Sequence, residues 1–389
     1  MQKKYLEKFI ITAKTLFGLE PILAEELKAI GASDITLLKR AVQYKGDKAL
    51  LYKSNLLLRT ALRILKPIAS FEVHNEDQLY RMVKGIDWSD YLSNRQTFAI
   101  NATTSSNKFR HSKYVALKAK DAIVDQFRDR TGSRPSIDTK DPDLWIDVHI
   151  MDRTCTISLN SSGITLAKRG YGVQRTEAPI NEALAAGIIL MSGWDQQMDF
   201  IDPMCGSGTF AIEAAWIAGN LPPGRLRRFN FEKWRDFDRL LWKNIRDEAR
   251  SNVKEIGAKI YARDLSRHAI NIAIKNADRA KVSQNIDFLT EDFFESSGPD
   301  EGGFLIMNPP YGERLTEDDI IHFYKEIGTR LKHFYEGFEA WVISGNMQAL
   351  KFVGLKTSRK IPLFNGPMPC KLHKYELYKG SRKASKNKS

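Results

Sequence analysis

Residues 198–218 constrain the fold of this chain more than any other stretch. Met198-Asp199-Phe200-Ile201 reads as a short buried strand, Asp202-Pro203-Met204-Cys205-Gly206-Ser207-Gly208-Thr209 as a tight loop, and Phe210–Ala218 as an apolar helix. A strand, a glycine loop and a helix in that order form the crevice in which open α/β sheets hold small cofactors. Gly206 and Gly208 let the backbone approach a ligand, and the free N–H groups at the helix start can meet an anionic group. No lysine follows the glycines, so the loop is not of the phosphate-binding Gly-Lys-Thr kind and triphosphate hydrolysis is disfavoured.

A second stretch supplies chemistry. Phe304-Leu305-Ile306-Met307 is another short buried strand, and Pro309 and Pro310 end it because neither has a backbone N–H for a ladder. Asn308-Pro309-Pro310-Tyr311 therefore sits at the carboxyl end of a strand, where such sheets bind ligands. The Asn308 side-chain oxygen and the proline-fixed carbonyl can both accept hydrogen bonds from one exocyclic –NH2, while Tyr311 can stack on the flat ring that carries it. A planar amine is the implied substrate. Between the two stretches, Lys259–Ala262 is a strand ending at Asp264, a position from which an acid can accept from both ribose hydroxyls of a cofactor. Helix Ser266–Asp278 follows, then strand Ile286–Leu289 and the turn Glu291-Asp292-Phe293-Phe294, for which a solvated acidic turn is the alternative reading. Helix Asp318–Phe334 and strands at Ala340–Ser344, Lys356–Leu363 and His373–Lys379 complete the sheet.

These motifs resemble those of class I S-adenosylmethionine-dependent amino-methyltransferases that act on nucleic-acid bases. The resemblance implies an α/β fold with a Rossmann-like seven-stranded sheet, and S-adenosylmethionine as cofactor. It places Asp202 to Thr209, Asp264, Leu265, Asp292, Phe293 and Asn308 around the cofactor, with Asp292 accepting the adenine amino group and Phe293 lining the ring. It makes Asn308, Pro309, Pro310 and Tyr311 the catalytic set. Carbon methylation would need a cysteine nucleophile at the base; Cys205 lies in the cofactor loop instead, as a small neutral residue.

The N-terminal part is of another kind. A strand at Lys8–Ala13, a helix opened by Gly18-Leu19-Glu20-Pro21 and closed by Gly31, alternating segments over Ile35–Tyr44 and a helix over Lys48–Leu58 form an α+β unit, residues 1–63, which resembles a ferredoxin-like domain. Residues 64–160 carry a strand at Thr97–Ala102, a basic stretch through Arg110 and Lys113, helix Tyr114–Arg130 with Lys118 and Lys120, and strand Leu144–Ile150. This block resembles a THUMP domain, an RNA-binding module, through Lys118-Ala119-Lys120-Asp121-Ala122-Ile123-Val124-Asp125 and Arg134-Pro135-Ser136. The resemblance makes Arg110, Lys113, Lys118 and Lys120 RNA contacts, although charge runs also solvate helix faces. Lys168-Arg169-Gly170-Tyr171-Gly172 and residues 178–186 resemble the segment preceding the catalytic sheet in bacterial large-subunit rRNA guanine-N2 methyltransferases, where Asn181 replaces a commonly basic residue. The catalytic domain is expected over 161–380 and a disordered basic tail over 381–389. Within 220–250, Arg225, Arg227 and Arg228 interleave with Phe229, Phe231 and Trp234, a pattern that suits either a nucleic-acid surface or an anchor to the core.

The totals agree. At 389 residues and a formal charge of +13, the chain has room for two or three domains and suits a polyanionic partner. No apolar run approaches the roughly 20 residues of a spanning helix, and the start lacks a signal-peptide core, so a cytoplasmic protein without membrane attachment is expected. Three scattered cysteines, Cys155, Cys205 and Cys370, imply neither disulfide nor metal. The reading favoured is guanine-N2 methylation of large-subunit rRNA. Adenine-N6 methylation of DNA or RNA, and a non-catalytic RNA-binding protein on the same fold, stand beside it.

Overall fold

The computed structural model describes residues 7–172, 180–299, 301–310 and 316–378. It forms two compact units: residues up to Thr15, Leu23–Leu166 and Arg227–Glu248 make one, and Leu16–Ile22, Ala167–Leu226 and the chain from Ala249 make the other.

The first unit is built in chain order from β1 (Phe9–Thr15), α1 (Glu20–Ala29), β2 (Ser33–Leu38), β3 (Ala41–Gly46), α2 (Lys48–Leu57), β4 (Ala61–Glu72), α3 (Glu76–Lys84), β5 (Thr97–Ser105), α4 (Ser112–Thr131), β6 (Ser136–Ile137), β7 (Leu144–Met151) and β8 (Thr154–Asn160). The N-terminal α+β part and the THUMP-like part share one eight-stranded sheet, ordered β2-β3-β1-β4-β8-β7-β5-β6. Its join is the β4–β8 pair, whose register shifts between Pro67 and Ala69, as a proline inside a paired strand requires. Leu79 and Val83 of α3 and Val115, Ala119, Ala122 and Ile123 of α4 pack on Phe98, Ile146, Val148 and Ile157, a 3.6-residue apolar stripe on a two-residue alternation.

The second unit adds α5 (Glu182–Ser192), β9 (Phe200–Asp202), α6 (Thr209–Ala218), α7 (Arg239–Ser251, which begins in the first unit), β10 (Ile260–Asp264), α8 (Arg267–Ala280), β11 (Ile286–Thr290), β12 (Phe304–Met307), α9 (Glu317–Phe334), β13 (Glu339–Ser344), β14 (Thr357–Asn365) and β15 (Met368–Glu376). Its seven strands run β11-β10-β9-β12-β13-β15-β14. β11, β10, β9, β12 and β13 are parallel, and β15 is antiparallel to both its neighbours. Strand order reverses between β9 and β12, the switch point that opens a crevice at the carboxyl edge. α5, α6 and α8 cover one face and α9 the other, so β12 is buried throughout, as its uniformly apolar sequence demands.

The insertion divides between the units. Tyr52 of α2 stacks on Phe231 at 4.2 Å, Phe231 on Phe229 at 5.4 Å, and Trp242 meets Phe231 edge-on at 5.1 Å. Arg227 donates to the carbonyls of Thr165, Ile164 and Ser162 at 2.6–3.2 Å. Of the two sequence readings, the anchor accounts for these residues; Arg228 alone among them is exposed.

Candidate active site

The crevice is shaped first by its glycines. Gly206 and Gly208 have φ of +52° and +80°, and a Cβ on Gly208 would stand 3.0 Å from the Cβ of Ala273, so α8 packs where a larger residue would push it away. Gly208 is also the N-cap of α6 and offers no side-chain cap, which leaves first-turn N–H groups for an anionic ligand. Asp264, at the end of β10, locks the loop: Oδ2 accepts from the Gly206 N–H and Oδ1 from the Ser266 N–H, each at 2.9 Å. A carboxylate has about four lone-pair sites, so the remaining two stay available to ribose hydroxyls. Asn276 of α8 supports the loop by donating to the Ser207 carbonyl at 3.0 Å.

Asp202 is the most unusual group here. It is 1% exposed, and neither carboxylate oxygen has a hydrogen-bond partner among the described residues. Burial, with the charge of Asp264 adding to it, raises its carboxyl well above the ordinary range. An orphaned acid beside a second acid is suited to receive positive charge. S-adenosylmethionine carries an ammonium and a sulfonium, and a carboxylate that the bare N–H groups of α6 can receive, so the residues present fit it. Burial and the same two acids raise the Cys205 thiol well above its usual value, which keeps it un-ionised and unsuited to nucleophilic attack.

Asn308 and Pro309 follow β12 directly. Leu305 pairs with Ile201, so the Asn308 segment leaves the sheet beside the loop that starts at Asp202. Asn308 is half-buried, Pro309 buried and Pro310 exposed; Tyr311 lies outside the described residues. Leu265 is 71% exposed at the rim, beside Asp264. Asp292 is half-buried, and its Oδ1 accepts from the Phe294 N–H at 2.9 Å. Phe293 departs from the expectation that it lines a cofactor ring: it is 3% exposed and stacks on Tyr335 at 5.6 Å. The strand end turns its ring into the α9 core.

The cations of the first unit divide. Arg110 and Lys113 are exposed, and the Arg110 Nε donates only to the Asn107 carbonyl, at 3.1 Å. Lys118 is 3.5 Å from Asp77 and lies over Tyr114, and Lys120 is 2.9 Å from Asp121. The latter two are therefore partly neutralised in place.

Sequence reasoning did not find the buried pair behind the crevice. Arg169 and Glu213 are 1% and 0% exposed with Nε to Oε1 at 3.1 Å, and the Tyr171 hydroxyl donates to the same carboxylate at 3.0 Å. Glu213 lies on α6, so the Lys168–Gly172 segment is tied to the helix that carries the cofactor loop. A signal was present: one acid within the otherwise apolar Thr209–Ala218 needs a partner once that helix is buried. Asn181, where a basic residue is common, caps α5 by accepting from the Ala183 and Leu184 N–H groups. Among the described residues no cluster of acids, histidines or cysteines could hold a metal, and no helix is long and apolar enough to cross a membrane.

Three family profiles match the chain in order: the RlmL ferredoxin-like domain over residues 10–65, the THUMP domain over 73–160, and the RMKL-like methyltransferase domain over 169–374. The chain is 40% identical over 364 residues to slr0064 of Synechocystis sp., named as a candidate RNA methyltransferase, covering 93% of this chain and 95% of that one. It is 36% identical over 384 residues to the ribosomal RNA large subunit methyltransferase K/L of Syntrophotalea carbinolica, covering 95% of this chain. That coverage is 53% of the relative, so the chain spans about half the length of the K/L proteins it matches. Among solved structures, SMU.472, described as a candidate methyltransferase complexed with S-adenosylhomocysteine, superposes with a TM-score of 0.86 at 30% identity, covering 96% of this chain and all of that one.

Proposed function

Since the chain belongs to the RMKL-like methyltransferase family and uses S-adenosylmethionine, we propose that it methylates the exocyclic amine of a base in RNA, guanine N2 of large-subunit rRNA. The observation that carries this reading is the placement of Asn308 and Pro309 at the carboxyl end of β12, next to the Asp202 loop on β9. The matched THUMP domain and the names of the K/L relatives support RNA over DNA.

The cofactor, when bound, supplies an electrophilic methyl group. Asp264 would hold its ribose, Asp202 its ammonium, the first turn of α6 its carboxylate and Asp292 its adenine amino group, with Leu265 beside the ring. Asn308 Oδ1 and the Pro309 carbonyl would accept from the –NH2 of the target base and fix the direction of its lone pair; the N–C bond that forms replaces the methyl–sulfur bond, and the nitrogen gives up one proton to solvent. As positive charge grows on that nitrogen, these fixed dipoles bind it more strongly than they bind the ground state. The base must leave its helix to reach Asn308 and so loses a few kcal/mol of stacking, which the ring of Tyr311 would partly offset. Arg110 and Lys113 hold RNA through phosphates and leave base choice to the pocket; Lys118 and Lys120 contribute once their acid partners are displaced.

Asn308→Ala tests the assignment. Cofactor affinity should stay within several-fold while methyl transfer falls roughly a hundredfold, the cost of removing one acceptor that acts in the transition state. Normal turnover by a folded variant would remove the amine clamp.

A further inference from the structure

The proposed function leaves a pair of lysines at the antiparallel end of the catalytic sheet without a role. In the β14–β15 hairpin, Lys360 pairs with His373 and Lys371 with Pro362; across β15, Lys371 also pairs with Ser344, the last residue of β13. Paired residues share a face and successive residues alternate, so Lys360, Lys371, His373 and Ser344 belong to one side of the sheet. Val342 and Tyr375, on the same face, pack in the α9 core and identify that side. Lys360 and Lys371 are thus diagonal neighbours, with Cβ atoms about 7–8 Å apart, and both are exposed.

The floor beneath them is neutral. His373 is 6% exposed, its Nδ1 lies 3.2 Å from the Tyr375 hydroxyl, and its Nε2 has no partner among the described residues. Burial, with Lys360 and Lys371 adding, pushes the ring down to about 4, so it carries no charge at neutral pH. Neither lysine has an acidic partner among the described residues. Glu376 of β15 and Glu339, its partner on β13, are held by Lys374 at 3.9 and 2.7 Å. Two unneutralised cations side by side repel each other, which an anion bound between them would relieve.

Register fixes where that anion would lie. Met307 pairs with Val342, and Val342 with His373, so Lys371 stands at the carboxyl edge, two strand spacings or about 10 Å from the strand that delivers Asn308. That is too far to touch the target amine and suitable for the chain leading to it. We propose that Lys360 and Lys371 form a phosphate clamp for the RNA backbone flanking the target nucleotide. The clamp rests on the RNA reading above and gives the substrate a second foothold, on the catalytic domain.

The full chain can be compared as wild type, Lys360→Ala/Lys371→Ala and Lys360→Arg/Lys371→Arg, by fluorescence anisotropy with end-labelled, deproteinised bacterial large-subunit rRNA over a series of salt concentrations. The alanine pair should weaken binding roughly tenfold, as removal of charge-assisted hydrogen bonds does. Its slope of log affinity against log salt should be shallower by about 0.7 for each single-strand phosphate that the protein no longer neutralises. The arginine pair should keep both values, and calorimetric cofactor affinity should be the same in all three. Unchanged affinity and slope in the alanine pair would overturn the clamp and leave the RNA reading standing. Equal weakening in both pairs would assign the lysines a packing role and overturn it too. A wild type that does not bind the rRNA would overturn the RNA reading and the clamp together.

Discussion

Replacing Asp202 by asparagine changes one charge and nearly preserves side-chain shape, so it isolates the electrostatics of the crevice. In the free protein, burial first and Asp264 second raise the Asp202 carboxyl well above the usual range. Its folded pKa therefore exceeds its unfolded one of about 3.9. The sign follows: its contribution to stability is present at acid pH and is lost as pH rises through the folded value. Asparagine does not titrate, so Asp202→Asn should gain stability relative to wild type as pH rises, with the cofactor absent. Cofactor binding works in the opposite sense. An ammonium beside Asp202 favours the carboxylate, so binding releases a proton wherever the free carboxyl was protonated. Loss of a hydrogen bond between charged groups costs roughly 1.5–3 kcal/mol, or roughly ten- to a hundredfold in affinity. Titration calorimetry in two buffers of different ionisation enthalpy reads both quantities. Wild type should release a proton on binding S-adenosylmethionine over the pH range in which the free Asp202 carboxyl is protonated, which a pH series locates, and the variant should bind more weakly and release none. Equal affinity and no proton release in either protein would refute the assignment of Asp202 to the ammonium.

Three further substitutions follow from the side-chain partners. Asp264→Ala removes a ribose acceptor and also frees the Gly206 and Ser266 N–H groups, so calorimetric cofactor affinity should fall at least a hundredfold, roughly two charged-acceptor bonds; unchanged affinity in a folded variant would exclude Asp264. Arg169→Met leaves Glu213 charged and buried, which should cost roughly 3–5 kcal/mol in urea unfolding, and Arg169→Met/Glu213→Leu should recover most of it; a larger loss in the double variant would contradict the pairing. Phe231→Ala should cost roughly 3–5 kcal/mol by the cavity it opens among Tyr52, Phe229 and Trp242, and a cost below about 1 kcal/mol would show that the insertion is not anchored there.

The catalytic sheet was legible in the sequence because its signals are local. Short apolar runs ended by Asp202, Asp264 and Pro309 fix strand ends, and strand ends fix the crevice. Pairings made by the fold across long separations were not legible. Phe231 meets Tyr52, and Arg169 meets Glu213, only after the chain has closed on itself; sequence spacing carries no trace of either pairing. The sequence showed a cation at Lys118 on a helix but could not place Asp77 of α3 beside it. The resemblance placed Phe293 against the cofactor ring, and its contact with Tyr335, just past the end of α9, could not be read from the sequence either. Strand β4 escaped notice because Pro67 interrupts its pattern, and the bulge that accommodates a proline is visible only in the paired sheet.

Which base and which amine receive the methyl group can be measured directly. Purified protein is incubated with isotope-labelled S-adenosylmethionine and deproteinised large-subunit rRNA, tRNA or duplex DNA at one fixed salt concentration, since affinity for a polyanion depends steeply on salt. Each nucleic acid is then digested to nucleosides for mass spectrometry. The label is expected in N2-methylguanosine from large-subunit rRNA. Label in N6-methyladenine from duplex DNA, with none in either RNA, would contradict the account.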